Sequence, residues 1–180
     1  MFDQVDFSAL ELPPSARALQ REVREFLRTE LAALGFTPHL GHAEFHAGFT
    51  RRVAERGWIG MTWPKRYGGQ ERSYLDRFVV TEEMLAVAAP CAAHWFADRQ
   101  SGPSLLRYGT DAQRQRYLPA IARGEYYFAL GMSEPNSGSD LASVKTRAER
   151  VSNGWRVTGQ KVWTSWAHKA HAFFVLCRTS

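Results

Sequence analysis

The hydrophobic period of this chain changes near residue 125, and that change limits the folds open to it. Before that point apolar residues recur at helical spacing. Beyond it, alternation and turn signals take over. Leu19, Val23, Phe26, Leu27 and Leu34 form one stripe behind Pro13-Pro14-Ser15, and Gly35 stops the helix they predict. A second helix is predicted over about 42–56, with Phe45, Phe49 and Val53 on one face and Gly57 as its stop. Residues 58–69 carry Gly60, Trp63-Pro64 and Tyr67-Gly68-Gly69, too much punctuation for a regular element. A third helix is predicted over about 73–88. A fourth helical stretch runs over 91–108, with a break or kink expected at Gly102-Pro103. Thr110 and Gln113 have the spacing of a capping box, and Pro119 is expected to open a last turn that Gly124 closes.

The second part opens on a mostly apolar run, 126–132, followed by a polar loop, 133–140. Val144, Thr146 and Ala148 then alternate with charged residues, which predicts a half-buried strand. Ser152-Asn153-Gly154 signals a tight turn, and Trp155 and Val157 continue the alternation on the return strand. Residues 161–165 are a further short extended candidate, and 172–177 is a fully apolar strand. The expected class is therefore α+β: an N-terminal helical bundle, residues 1–124, followed by an incomplete antiparallel β-barrel-like domain, residues 125–180. An uncovered apolar strand at the edge of a sheet is a liability, so the expectation is a fragment, or a subunit that a partner completes.

Composition removes several classes. With 44% hydrophobic and 23% charged residues, the chain is too apolar for disorder. Its longest apolar stretch, 84–93, contains Pro90 and is half the length of a membrane span, which needs about 20 residues. Asp3 and Asp6 stand where a signal peptide carries basic residues. Cys91 and Cys177 are too few for a disulfide scaffold or a cysteine zinc site and are expected to be small packing residues, which points to a reduced, cytoplasmic protein. The net charge of +5 raises nucleic acid as a partner, yet no basic run exceeds Arg51-Arg52, so an anionic small ligand fits better. His39, His42 and His46 share helical spacing. Without a cysteine partner, and with Glu44 off that face, they read as exposed or hydrogen-bonded histidines and not as a metal site.

Two segments carry chemistry. In Ser133-Glu134-Pro135-Asn136-Ser137-Gly138-Ser139-Asp140, small hydroxyl residues and a glycine let backbone amides approach phosphate oxygens, although an ordinary polar connection has the same composition. No P-loop lysine and no G-x-G-x-x-G pattern is present. In the second segment, Trp163 and Trp166 flank Thr164 and Ser165. Flat apolar walls beside hydroxyl donors suit a planar heteroaromatic ring, and also a tryptophan that merely fills the core.

Met132-Ser133-Glu134-Pro135 through Gly138-Ser139-Asp140, then Gly159-Gln160-Lys161-Val162-Trp163-Thr164-Ser165, resemble the acyl-CoA dehydrogenase family. Gly57-Trp58, Trp63-Pro64, Tyr67-Gly68-Gly69, Arg107-Tyr108-Gly109-Thr110 and Arg116-Tyr117-Leu118-Pro119 agree in order, so the resemblance spans about residues 13–180. It implies an FAD enzyme that removes two hydrogens across the α and β carbons of an acyl-CoA. It also implies an electron-transfer flavoprotein or similar acceptor, and a homo- or hetero-oligomer. Carried over by position, Leu130 to Ser139 lie along the flavin. Met132 gives backbone contacts to the ring, Ser133 offers a hydroxyl to its carbonyl edge, and Ser139 sits between the FAD diphosphate and the CoA ester. Trp163 packs on the flavin, Thr164 belongs to the same contact segment, and Ser165 hydrogen-bonds the nitrogen that accepts the hydride. Trp95, beside Phe96, is expected to shorten the acyl cavity.

The resemblance places the general base on a C-terminal helical domain beyond Ser180. No catalytic residue is therefore expected in this chain, and the chain alone is expected to be inactive. Glu82 and Glu83 read as surface carboxylates, and His168 and His171 as surface residues. Trp166 stands where relatives carry a small residue. A flavin monooxygenase or oxidase on the same scaffold, and a non-catalytic remnant that binds a partner chain, are the alternatives.

Overall fold

Pro14 can start a helix because its missing N–H falls where no intrahelical partner exists. In the computed structural model, which describes residues 11–35 and 41–179, helix α1 runs Pro14–Ala33 and buries Ala16, Leu19, Val23, Phe26 and Leu27. Leu34 is not part of that stripe. It caps the helix and is exposed, and Gly35 turns the chain away at φ +58°. Asp3, Asp6 and His39 lie outside the described residues.

Helix α2, Ala47–Glu55, starts later than its apolar spacing predicts. A 3-10 turn, Gly41–Ala43, precedes it, and Phe45 bridges to Cys91 in extended conformation. His46 is the reason for the late start: its Nδ1 accepts the Phe49 amide at 2.9 Å and caps the helix. Helix α3, Tyr74–Ala86, opens on a capping box between Ser73 and Asp76. Glu83 of α3 is not a surface carboxylate. It is buried and receives Arg24 Nε at 2.7 Å, Arg24 Nη2 at 2.9 Å and Gln20 Nε2 at 2.8 Å, all from α1. Glu82 is exposed, as expected.

Helix α4 (Ala92–Phe96), a π-turn (Ala97–Ser101) and helix α5 (Gly102–Tyr108) follow one another without the expected break. Pro103 cannot bond to the Arg99 carbonyl and would crowd it in a regular α-helix. Widening the preceding turn to π geometry lets Pro103 sit in the first turn of α5. Helix α6, Asp111–Ala122, uses the predicted Thr110–Gln113 capping box, with Gln113 N 3.2 Å from Thr110 Oγ1 and Thr110 N 2.8 Å from Gln113 Oε1. Pro119 lies inside α6 instead of opening a separate turn. One apolar core joins α1, α2, α3 and α6 through Leu19, Phe26, Phe49, Val79, Leu118 and Ile121, with Trp58 edge-on to Phe26.

The β part departs from the expected antiparallel barrel. Strand β1 (Phe128–Gly131) pairs in parallel with β4 (Ala172–Val175), and β2 (Arg147–Val151) pairs antiparallel with β3 (Gly154–Thr158). Alternation shows which faces are apolar but not strand direction. The long connection from β1 to β4, which contains the β2–β3 hairpin, brings β4 back in the same sense as β1. Val144 and Thr146 are buried as predicted but precede β2, and β3 is exposed throughout, Trp155 and Val157 included. Residues 161–165 form no strand because Trp163 takes φ +58°. Among the described residues no helix is long and apolar enough to cross a membrane, and no cluster of three metal-ligand side chains occurs.

Candidate functional site

The two chemistry-bearing segments meet at the end of β1. Val162 N donates to Ser133 O at 2.9 Å, and Lys161 Nζ donates to Met132 O at 2.8 Å. Leu130 sits in β1 opposite Phe174, and Met132 and Ser133 follow it half-buried. Ser137 is buried and donates its hydroxyl to Asp140 O at 2.8 Å, which curls the loop and leaves Ser139 exposed at its tip. A cavity of about 490 Å³ lies along this loop, lined by Glu134, Asn136, Ser137, Asp140 and Gln160, among others. Ser139 is not on its wall.

The loop is held by a pair that the sequence reading did not single out. The Glu134 carboxylate accepts Lys145 N at 2.6 Å, Thr146 N at 2.8 Å and Lys161 Nζ at 2.9 Å. Donors from Thr146, Lys145 and Lys161 hold its pKa down at about 2. Lys161 thereby ties the start of one segment to the start of the other. The only sequence signal for it was a lysine at the head of an otherwise apolar run.

In the second segment, Trp163 is 90% exposed and left-handed, and Trp166 is left-handed as well at φ +55°. A large indole held out in water by a sparsely populated backbone conformation is costly, and such conformations concentrate at ligand sites. Thr164 is half-buried and Ser165 exposed beside it. Ser165 and Trp166 close a hollow of about 150 Å³ with His42, Ala92, Trp95 and Phe96 of the helical part. Trp95 and Ser165, predicted from opposite ends of the chain, therefore line one space. The Trp166 indole N–H donates to Ala43 O at 2.7 Å and its ring lies 5.5 Å from Phe45, so Trp166 fastens the loop to the helical part.

Behind the hollow, the α4 helix and π-turn carry buried polar groups. His94 contacts Thr50 Oγ1 at 3.0 Å, and burial pushes its pKa down to about 3, so the imidazole is neutral. Burial pushes the Cys91 thiol up to about 12, which suits a packing residue. His171 is exposed, as expected, yet its Nδ1 accepts the Tyr127 amide at 3.1 Å.

Comparison with known proteins bears directly on this arrangement. Residues 13–125 match the acyl-CoA dehydrogenase N-terminal domain, and residues 129–180 match the acyl-CoA dehydrogenase middle domain. The acyl-CoA dehydrogenase FadE26 of Mycobacterium tuberculosis is 33% identical over 173 residues, which are 93% of this chain and 43% of that protein. The crystal structure of the ChsE4–ChsE5 complex from the same organism superposes with a TM-score of 0.83 at 33% identity, over 96% of this chain and 44% of that one. A glutaryl-CoA dehydrogenase from Mycobacterium smegmatis, solved in complex with FADH2, gives 0.80 at 25% identity, over 94% of this chain and 44% of that one. The sequence thus spans less than half the length of these relatives. Both segments that the structure brings together lie in the matched middle domain, and the chain belongs to the acyl-CoA dehydrogenase family.

Proposed function

We propose that this chain is the flavin-facing part of an acyl-CoA dehydrogenase, an oxidoreductase that desaturates an acyl-CoA thioester between its α and β carbons. The observation that carries the reading is the junction of 132–134 with 161–165, which sets the exposed Trp163 ring beside the hydroxyls of Thr164 and Ser165. These residues fit FAD: an indole face offers a flat apolar partner, and hydroxyls and amides offer donors to a polarised ring edge.

FAD would supply the two-electron acceptor, since the redox chemistry belongs to the cofactor. Trp163 would pack on the flavin, with Leu130 along it and Thr164 in the same contact segment. Met132 contributes backbone contacts. Ser133 would offer its hydroxyl to the carbonyl edge of the ring, and Ser165 would donate to the ring nitrogen that accepts the hydride. Ser139, at the loop tip, reaches between the FAD diphosphate and the CoA ester. Trp95 ends the acyl hollow and restricts the substrate to a short or compact acyl group. Glu83, locked by Arg24 and Gln20, is unsuited to proton abstraction, and we place the general base outside these 180 residues, as the family resemblance implies. Residues 1–124 and 125–180 act as a helical and a β domain. Electrons pass to an electron-transfer flavoprotein or similar acceptor. The enzyme works in the cytoplasm, where its two free cysteines stay reduced, and it assembles with further chains, as the ChsE4–ChsE5 complex does.

The test is anaerobic titration of the full, flavin-loaded protein with short-chain acyl-CoA esters while the flavin absorbance is followed. Bleaching by an acyl-CoA is the expected result. A protein that retains no flavin overturns the reading. Reduced flavin that consumes oxygen rapidly replaces it with an oxidase or monooxygenase. Ser165→Ala should slow bleaching by about 10²-fold, more than it weakens FAD binding.

A further inference from the structure

A cavity of about 430 Å³ opens between α3, the π-turn and α5, on residues that the flavin and acyl readings leave unused. Arg77 of α3, Arg99 of the π-turn and Arg107 of α5 line it, together with Thr62, Trp63 and Tyr74. No carboxylate is on its wall. The nearest acid, Asp98, is buried and fully engaged: its Oδ1 accepts Gly60 N at 2.7 Å, and its Oδ2 lies 2.9 Å from Arg99 Nε. Asp76 is taken by Arg72 at 3.3 Å, and Asp111 by Arg114 at 2.8 Å. Three guanidiniums against one carboxylate leave an excess of two positive charges around this space.

Aromatic rings position the guanidiniums, and Arg77 and Arg107 keep their donors free among the described residues. Arg77 lies 5.0 Å over the Tyr74 ring, Arg99 5.2 Å over Trp95 and Arg107 5.2 Å over Tyr108. Arg99 is itself held in place: its Nε lies 2.9 Å from Asp98 Oδ2, and its Nη2 donates to Thr81 Oγ1. Burial holds the Arg99 pKa below its ordinary value; Asp98 opposes that shift and Arg77 adds to it. A buried cation beside a like charge gains from any anion that reaches it. Arg99 is also presented by a π-turn, a departure from helical geometry that recurs at functional sites.

We infer that this cavity is a binding site for a phosphate group, with Arg77, Arg99 and Arg107 as its donors. A phosphate carries about −1.5 to −2 charges near neutrality and offers three strong acceptor oxygens, which matches the excess charge and the three guanidiniums from α3, the π-turn and α5. A carboxylate is singly charged and planar, and satisfies one guanidinium fork. Free orthophosphate and the phosphate of a nucleotide share this chemistry.

The test is calorimetric titration of the full protein, at constant ionic strength, with inorganic phosphate, adenosine monophosphate and acetate. Saturable binding of phosphate and no binding of acetate are expected. Tighter binding of the monophosphate makes a nucleotide the source; equal or weaker binding makes it the free ion. Arg77→Gln and Arg107→Gln alter residues that hold no ion pair among the described residues, so the fold stays intact. Each should weaken phosphate binding about tenfold or more. The inference fails if phosphate shows no saturable binding, if acetate binds as tightly, or if the double variant binds phosphate like the parent.

Discussion

Replacing Gly102 by Ala should destabilise this protein, although helix propensity alone predicts the opposite. Gly102 is the first residue of α5 and has ordinary helical angles, φ −61° and ψ −52°, so alanine meets no backbone penalty there. Propensity would credit the change with about 0.5–1 kcal/mol of stabilisation. The added Cβ, however, would stand less than 3.0 Å from Cζ2 and Cη2 of Trp63 and 2.9 Å from Ala97 O, where carbon atoms prefer about 3.5–4.0 Å. Trp63 is hemmed in by glycine on two further sides. It is buried, with Gly60 against the other side of its ring and Gly69 against its backbone, each so close that a Cβ on either would also collide with it. Overpacking costs about 1–3 kcal/mol, and ring contacts this short belong to its upper part, about 2–3 kcal/mol, so roughly 1–2 kcal/mol of net loss remains after a propensity gain of about 1 kcal/mol. For a chain of this size that lowers the Tm by roughly 2–8 °C. Urea and thermal unfolding of parent and variant measure it. Trp63→Leu removes the obstructing ring atoms, so Gly102→Ala should become neutral or stabilising in that background, a coupling that a double-mutant cycle reads directly. A single variant as stable as the parent, or more so, would refute the claim that three glycines exist here to seat one indole.

The Trp163 ring is 90% exposed, so Trp163→Ala should shift unfolding by less than about 0.5 kcal/mol while weakening FAD binding; equal FAD affinity removes the indole from the site. His94 is held at about 3, below its unfolded value near 6.5. Its contribution is therefore complete above that value and declines as pH falls toward 3, by up to about 1.4 kcal/mol per pH unit. The stability difference between parent and His94→Gln should shrink over that interval, and a constant difference would show that the imidazole titrates freely. Glu134 is held at about 2 against an ordinary 4.5, so its contribution is present above about 4.5 and is lost as pH falls through 2. Glu134→Gln should lose that acid limb of the stability curve and bind flavin more weakly at neutral pH; an unchanged curve would mean that the loop is held by other contacts.

The helical half was legible because its signals are local. The Leu19–Leu27 stripe, the Thr110–Gln113 box and the Gly35 and Gly57 stops each act within a few residues, and each appears in the structure. Departures arose where a distant group decided the outcome. Phe45 belongs to the apolar spacing of α2, but its bridge to Cys91 and the His46 cap keep it outside the helix. Glu83 is adjacent to an exposed Glu82 and has nothing local to mark it. Its burial follows from Arg24 and Gln20, about sixty residues earlier in the chain. Pro103 marked an irregularity, which the structure accommodates as a π-turn just before it and not as a break. The parallel pairing of β1 with β4 depends on the path of the chain between them, to which alternation is blind.

At the site, the hydroxyl and indole residue types could be read, while their anchoring could not. Lys161 and Glu134 are polar residues in stretches dominated by other features, and only the fold shows that one ammonium reaches both Met132 O and the Glu134 carboxylate. That contact fixes both segments from within. The left-handed turns at Trp163 and Trp166 then divide the work of the two indoles. Trp166 turns inward and spends its N–H on Ala43 O, joining the loop to the helical part. Trp163 turns outward and keeps its whole face free. A chain selected only to bury apolar surface would have turned both rings in. The outward Trp163, held beside Ser165 on a loop anchored from behind by Lys161, leaves open the flat face that the proposed flavin contact needs.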